Sequence, residues 1–349
     1  MLMPVMSLIG ANAAAATYNL IDLGTISQGF WAVVRGPNSA GVAVGGGRLV
    51  GPTGETLPRE GLVFQNGAAP RLLTGPAGSD SATVFGVNDA GGIVGSSNAA
   101  TAVRAFIGTQ AGGARELPPL PGDTASTAYA LNNIGQAVGF SSGAAGRRAV
   151  VWAANGTPSQ LPAPSGTSSS QAVGVNDRGD VAGVMRTAAG PRAILWAAGQ
   201  AARELAPLAG QTISEASAIN ARGDVVGYSG TGSNVRRATA WPAGGAAVDL
   251  GTLPGGDFSQ ALASNDAGDV VGTSNSSAGD RAFLWTRSGG LQDLNALIPA
   301  SPFVLTRAVG INNLGMIVAS GYDPSTAPAT DAHEHESHEL PLRVFLLVR

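Results

Sequence analysis

Three sets of side chains in this 349-residue chain could do chemistry. All three histidines stand in HEHESHE (333–339). There His333, His335 and His338, with the glutamates between them, could gather Zn, Ni or Cu, because imidazole and carboxylate suit those ions. The stretch GFSSG (139–143) satisfies GxSxG, the pattern of an activated serine, with Ser141 as the nucleophile. Arginine recurs at Arg104, Arg148, Arg192, Arg237 and Arg281, each time followed by alanine, and a ring of guanidinium groups could hold an anion.

Each set also has a plainer reading. A His-rich tract is equally a solvated loop that binds metal adventitiously, so no cofactor is expected beyond a weak divalent ion at the C-terminal loop. GxSxG activates serine only on a strand, a sharp elbow and a helix. Here it leads from a strand into a loop, the aligned positions Ser97, Ser229 and Ser274 are also serine, and no histidine outside the C-terminal stretch could act as its base. The arginines repeat in nearly every copy, whereas functional sites normally break a repeat; they are expected to open strands and pair locally, with Asp180, Asp224 or Asp269. The Asn-Asp turns lack the third oxygen ligand and the bidentate glutamate of a calcium loop, which leaves turn chemistry.

Composition narrows the field further. The chain is 44% hydrophobic and carries a net charge of −3, so it can bury a large core and has no bulk attraction to nucleic acid. Cysteine is absent, which excludes disulfides, thiolate metal sites and cysteine nucleophiles. Every basic residue is arginine, so lysine-dependent phosphate loops and Schiff bases are excluded too. Residues 1–16, MLMPVMSLIGANAAAA, are apolar and end in small residues; they read as a signal peptide with a truncated start, and imply a secreted protein in the extracellular space or periplasm. No later run approaches the length of a membrane span.

The elements that must position these residues come from a repeat. An NxxG turn follows a run of small residues at Asn38, Asn88, Asn132, Asn176, Asn220, Asn265 and Asn312, at spacings of 50, 44, 44, 44, 45 and 47. Six copies have a further glycine four residues on; Ala319 is the exception. The sixth copy reads as four short strands: SQALASN, a DAG turn, DVVGTS, a loop, RAFLW, and GLQDL. The turn needs glycine because its last residue takes a positive φ. In RAFLW, Phe283 and Trp285 point to one face and Ala282 and Leu284 to the other, so the strand must be covered on both sides. Stacked sheets do that, which explains why the word is written so often.

Four-stranded units of this length are propeller blades. The last copy lacks a fourth strand, and YNLIDLGTI (18–26) matches the fourth strand of the fifth copy, AAVDLGTL (246–253). The expected fold is therefore all-β: a single domain over 17–349, a seven-bladed β-propeller of four-stranded antiparallel blades, with the N-terminal strand closing the last blade and hiding its edge. Phe64, Gly108 and Leu347 replace the tryptophan in the first, second and seventh copies.

From residue 18 onward the chain resembles the HAF-repeat family of extracellular bacterial repeat proteins, whose INxxGxxVG turn precedes a His-Ala-Phe tripeptide and a Leu-Trp. GINNLG (310–315), INARGDVVG (219–227) and RAFLW carry the likeness, with arginine consistently in place of the family's histidine. The resemblance implies secretion and a repeat architecture, and carries over no catalytic residue.

Where the repeat is broken, function is expected. The loops 46–60 and 320–340 are longer than their counterparts, and ring closure makes their blades neighbours. They are expected to form a joint lip, with Arg48, Glu55, Arg59, Tyr322 and Asp323 as ligand contacts beside the histidines. The leading reading is a secreted, monomeric, non-catalytic binding module that presents rim loops to a glycan or protein. The alternatives are a carbohydrate-active hydrolase or lyase on a propeller scaffold and a purely structural surface repeat. Against the first of these, SSSQAVGVN, ISEASAIN and SQALASN offer Glu215 as almost the only acid on the innermost strands.

Overall fold

The computed structural model describes residues 18–26, 33–47, 60–99, 102–232, 235–326 and 342–349. They form seven four-stranded antiparallel sheets, at 33–73, 81–117, 125–160, 169–205, 213–251, 259–293 and 304–348, the last completed by 19–26. Blades 1 to 7 follow this order. The strands of each run from the innermost, at the channel, to the outermost.

The closing strand Asn19–Ile26 pairs with the third strand of blade 7, Leu342–Val348, placing Leu20 opposite Leu347 and Asp22 opposite Phe345. The Tyr18 N–H donates to the Leu297 carbonyl at 2.8 Å, tying that strand to the link between blades 6 and 7. Its pattern repeats the other outermost strands. Asp22 accepts from Arg343 at 2.5 Å, as Asp249 does from Arg237 at 3.0 Å in blade 5.

The apolar words sit between blades. In blade 4, Ile194 and Trp196 pack with Val138 and Ala149 of blade 3, while Ala193 and Leu195 pack with Ala216 and Trp241 of blade 5. Both faces are buried, as the alternation demands, and burying each large side chain stabilises the stack by roughly 1.5–3 kcal/mol. The indole N–H groups of Trp152, Trp196 and Trp241 donate to carbonyls of the preceding blade's exit, Pro118, Pro162 and Ala206, at 2.7, 2.5 and 2.7 Å. The alanine after four of the five arginines has its own partner. The N–H groups of Ala105, Ala149, Ala193 and Ala238 donate to Ser126, Ser170, Ser214 and Ser259 of the next blade at 2.9–3.0 Å. Phe64 and Leu347 fill the tryptophan position fully buried.

The turn asparagines do more than shape turns. Each turn ends on a glycine at φ between +76° and +89°. The Asn Oδ1 atoms accept backbone N–H groups within the turn, as Asn176 does from Arg178 at 3.1 Å and Asp180 at 3.0 Å. Each amide then donates to the carbonyl of the next blade's asparagine. The chain of bonds runs Asn38 to Asn88, Asn132, Asn176, Asn220, Asn265 and Asn312 at 2.9–3.5 Å, and returns from Asn312 to Asn38 at 2.8 Å. Seven buried side chains thus close a hydrogen-bonded hoop around the axis.

Candidate functional site

Counting back from each asparagine places three tiers of side chains along the central channel. Five residues back stand Val33, Thr83, Thr127, Gln171, Glu215, Gln260 and Arg307; three back stand Arg35, Phe85, Tyr129, Val173, Ser217, Leu262 and Val309. In blades 2 to 7 the residue three back is the one skipped in pairing with the second strand, a β-bulge. A bulge re-aims the extra side chain, and here most of these line the cavity. The third tier, one residue back, is largely apolar: Pro37, Val87, Leu131, Val175, Ile219, Ser264 and Ile311.

These tiers divide the channel into two cavities that share no lining residue. The lower one, about 440 Å³, is walled by the apolar tier, the asparagine hoop and the next residues outward, including Asp89, Asp177 and Asp266. Those carboxylates are engaged: Asp89 accepts from the Ser39 N–H at 2.6 Å and Asp266 from the Ala221 N–H at 2.8 Å. The upper cavity, about 280 Å³, opens on the rim where successive blades are joined. Arg35, Arg307, Glu215, Tyr129, Tyr228 and the two glutamines supply its polar lining.

Three arginines fix that lining from the preceding blade. Arg147 donates to Gln171 Oε1 at 2.9 Å, Arg236 to Gln260 Oε1 at 3.3 Å, and Arg186 lies 3.9 Å from Glu215. Arg147 also lies over the Phe140 ring and Arg236 over Tyr228, at 4.0 and 4.4 Å from the ring centres. With each glutamine oxygen engaged, the amide N–H₂ is what remains to offer. Among the described residues Arg35 donates only to the adjacent Val34 carbonyl, at 2.9 Å, and neither it nor Arg307 has an acidic partner there.

The electrostatics follow from that crowding. Arg35 and Arg307 are both exposed to water along the channel, although protein atoms crowd the surrounding channel wall. Enclosure, and then the charge of Arg307, push the Arg35 pKa down to about 10, still fully protonated at neutral pH. Enclosure and then Arg236 lower Arg307 as well. Burial raises Tyr129 against the pull of Arg147 and Arg35. Burial, then the charge of Glu215, push Tyr228 up to about 12. Among the described residues the site is a donor-rich, positively charged hollow with one carboxylate.

The sequence expectations fare differently one by one. Arg48, Glu55, Arg59, His333, His335 and His338 lie outside the described residues. Tyr322 ends the second strand of blade 7, opposite Val304 at the start of the innermost strand. Asp323 follows it and accepts from the Ser325 N–H at 2.9 Å and hydroxyl at 2.7 Å, bonds that lower its pKa. The structure brings neither into the cavity lining. Ser141 is fully buried, donating to Asp123 at 2.5 Å and accepting from the Leu120 N–H at 2.9 Å, and so serves as a clamp on the link between blades.

The recurrent arginines do pair locally, but with other acids than expected. Arg192, Arg237 and Arg281 meet Glu204, Asp249 and Asp293 of their own blade's outermost strand at 3.1, 3.0 and 3.8 Å, and Arg148 meets Asp123 at 2.6 Å. Arg104 donates to the Thr124 carbonyl. Asp180 and Asp224 instead bind Arg178 and Arg222 of their own turns, both at 2.6 Å. The arginine begins the third strand at the opposite end from the Asn turn, which puts those turn acids out of reach.

Sequence reasoning missed Arg35 and Arg307. The available signal was an arginine on the small-residue strand of the first and last copies, where the other copies carry neutral side chains or Glu215.

No protein-family model and no curated protein matches the chain by sequence. Solved structures do. The β-propeller domain of the Trilobed protease from Pyrococcus furiosus superposes with a TM-score of 0.53 at 10% identity, over 84% of this chain and 93% of its own. Acylaminoacyl peptidase from Pyrococcus horikoshii gives 0.52 at 11% identity, over 84% of this chain and 49% of its own, so this chain spans about half of that protein. TolB from Acinetobacter baumannii gives 0.46 at 12% identity, over 71% of this chain and 62% of its own. The first two likenesses show the fold. The protease propeller is described as having an open velcro topology, whereas here the N-terminal strand completes blade 7.

Proposed function

We propose that this chain is a non-catalytic binding module that takes an anionic ligand into the upper mouth of its central channel. One observation carries the reading: Arg35 and Arg307 face a common cavity with no acidic partner among the described residues, in a lining already dominated by donors. Like charges facing one cavity are relieved by an anion, and guanidinium forks bind carboxylate or phosphate with defined geometry. The lengthened segments that follow Gly47 and Tyr322 belong to blades 1 and 7, the blades that supply these two arginines. Secretion and kinship with HAF-repeat proteins belong to this proposal too, resting on the N-terminal residues and the repeat words.

The lining favours binding over hydrolysis or lyase chemistry. Glycoside hydrolysis uses two carboxylates, and Glu215 is the one carboxylate among the described lining residues. A phenol serving as base needs a lowered pKa, and those of Tyr129 and Tyr228 are raised. The test is a melting-temperature screen of the purified protein against anionic metabolites, oligosaccharides and peptides, repeated on Arg35→Ala and Arg307→Ala. A ligand at 100 times its Kd stabilises by about 2.7 kcal/mol, and that gain should vanish in both variants. Ligands that stabilise the variants as well as the wild type would remove the channel from the account.

A further inference from the structure

The upper cavity contains more than a positive charge, and its other groups specify what kind of anion it takes. Glu215 stands among the arginines as an acceptor, held 3.9 Å from Arg186. A bare sulfate donates nothing to it and is repelled by it; a ligand bearing hydroxyls as well as an anionic group satisfies both sides of the lining. Gln171 and Gln260 offer amide N–H₂ groups, and Ser217 offers a hydroxyl that both gives and accepts. Val173, Leu262 and Val309 present apolar surface between these polar groups, and the Tyr129 ring is braced edge-on by Phe85 with ring centres 5.4 Å apart. Alternating C–H and O–H faces are the surface chemistry of a pyranose ring.

Size and shape point the same way. A cavity of about 280 Å³ lies at the small end of ligand pockets, suited to one saccharide residue or chain end. Its lining stops short of the apolar tier and the asparagine hoop, which line the lower cavity. An extended peptide threaded along the axis would have to bury its backbone against that apolar tier. We propose that the upper cavity binds the terminal residue of a carboxylated glycan, a uronate, with its carboxylate on Arg35 and Arg307 and its hydroxyls on Glu215, Gln171 and Gln260. This rests on the anionic-ligand reading above and narrows it.

The experiment is titration calorimetry with four probes: an oligogalacturonate, the same oligosaccharide with its carboxyl groups reduced to alcohols, a heparin-type sulfated oligosaccharide, and a polyglutamate peptide. Expected is binding of the oligogalacturonate, weakened at least tenfold by carboxyl reduction and at least tenfold by Arg35→Gln or Arg307→Gln. Glu215→Gln should weaken the uronate while leaving sulfated-probe affinity equal or higher. Unchanged melting temperatures of the variants separate lost contacts from lost folding, and the two arginines lie on different blades, so either suffices. Preference for the sulfated oligosaccharide or the peptide overturns the uronate assignment and leaves the anionic reading standing. Equal binding of the reduced sugar, or no binding of any anionic probe, overturns both.

Discussion

Replacing Asn88 by aspartate tests whether the asparagine hoop is a structural device. Asn88 is nearly buried; its Oδ1 accepts the Gly92 N–H at 2.7 Å and its amide donates to the Asn132 carbonyl at 2.9 Å. Glycine stands four residues on, where the other turns at Asn176, Asn220 and Asn265 carry aspartate, so the Asn88 amide is not shared with a carboxylate at that position; the adjacent Asp89 is engaged by the Ser39 N–H. Asn88→Asp keeps the turn acceptor and replaces the donated bond with a carboxylate oxygen facing a carbonyl oxygen. Losing a net bond costs about 1 kcal/mol and leaving buried groups unsatisfied about 1–3 more, so roughly 2–4 kcal/mol is expected at pH 7.5. For a chain of this size that lowers Tm by roughly 3–6 °C.

The introduced carboxyl adds a second signature. Facing a carbonyl in a buried site raises its folded pKa above the unfolded value of about 3.9. The native state then holds the proton more tightly, and the protonated acid can donate to the Asn132 carbonyl again. The variant should therefore stand closest to wild type below about pH 4 and fall behind as pH rises through its folded pKa. Asn88→Ala, which loses both bonds and cannot titrate, should show a gap to wild type with no such dependence. Urea unfolding of the three proteins at pH 4 and 7.5 reads all of this. A loss under about 0.5 kcal/mol at pH 7.5, or an equal gap at both pH values, would refute the reasoning.

Four further outcomes are expected. Ser141→Ala should lower stability by about 1–3 kcal/mol, by orphaning the Leu120 N–H, and the wild-type serine should stay inert to a fluorophosphonate probe. Gly183→Ala would set a Cβ 2.3 Å from the Gln171 carbonyl and 2.5 Å from the Trp196 ring; a loss of about 3 kcal/mol or more should appear in denaturant unfolding. Arg343→Ala removes the ion pair to Asp22, but both side chains are about one-third exposed, so the thermal transition should shift by the equivalent of less than about 1 kcal/mol. Burial pushes Asp180 up, yet bonds from Asn176, the Ala198 N–H and Arg178 outweigh it and hold the pKa below its ordinary value. Its contribution, on the order of 1 kcal/mol, is thus present above the unfolded pKa and lost as pH falls through the folded one. Unfolding of wild type and Asp180→Asn at pH 7 and 3 should show the gap closing at acid pH.

Much of the fold can be read from local pattern. RAFLW alternates two apolar faces within five residues, and any chain that does so must be covered on both sides. The NxxG turns carry their glycine because position three needs a positive φ, a constraint that acts within four residues. The match of YNLIDLGTI to AAVDLGTL extends to Asp22, which meets Arg343 as Asp249 meets Arg237. The candidate site was legible only in part. Attention to lengthened loops led to blades 1 and 7, and the two cavity arginines come from those blades, but from their innermost strands.

What the sequence by itself determined is the module: four strands, a glycine turn, a strand buried on both faces, and an outer strand spare at one end and wanting at the other. These follow from alternation and backbone sterics, which act over a few residues. Only the closed ring decided which modules meet across the axis. Asn312 bonds Asn38 from 274 residues away, and Arg35 and Arg307 reach one cavity because closure sets the first and last blades side by side. A β-bulge turns a side chain inward in any repeat, but the charge it then confronts depends on curvature summed over every blade. That sum is a property of packing, and no single stretch of residues contains it.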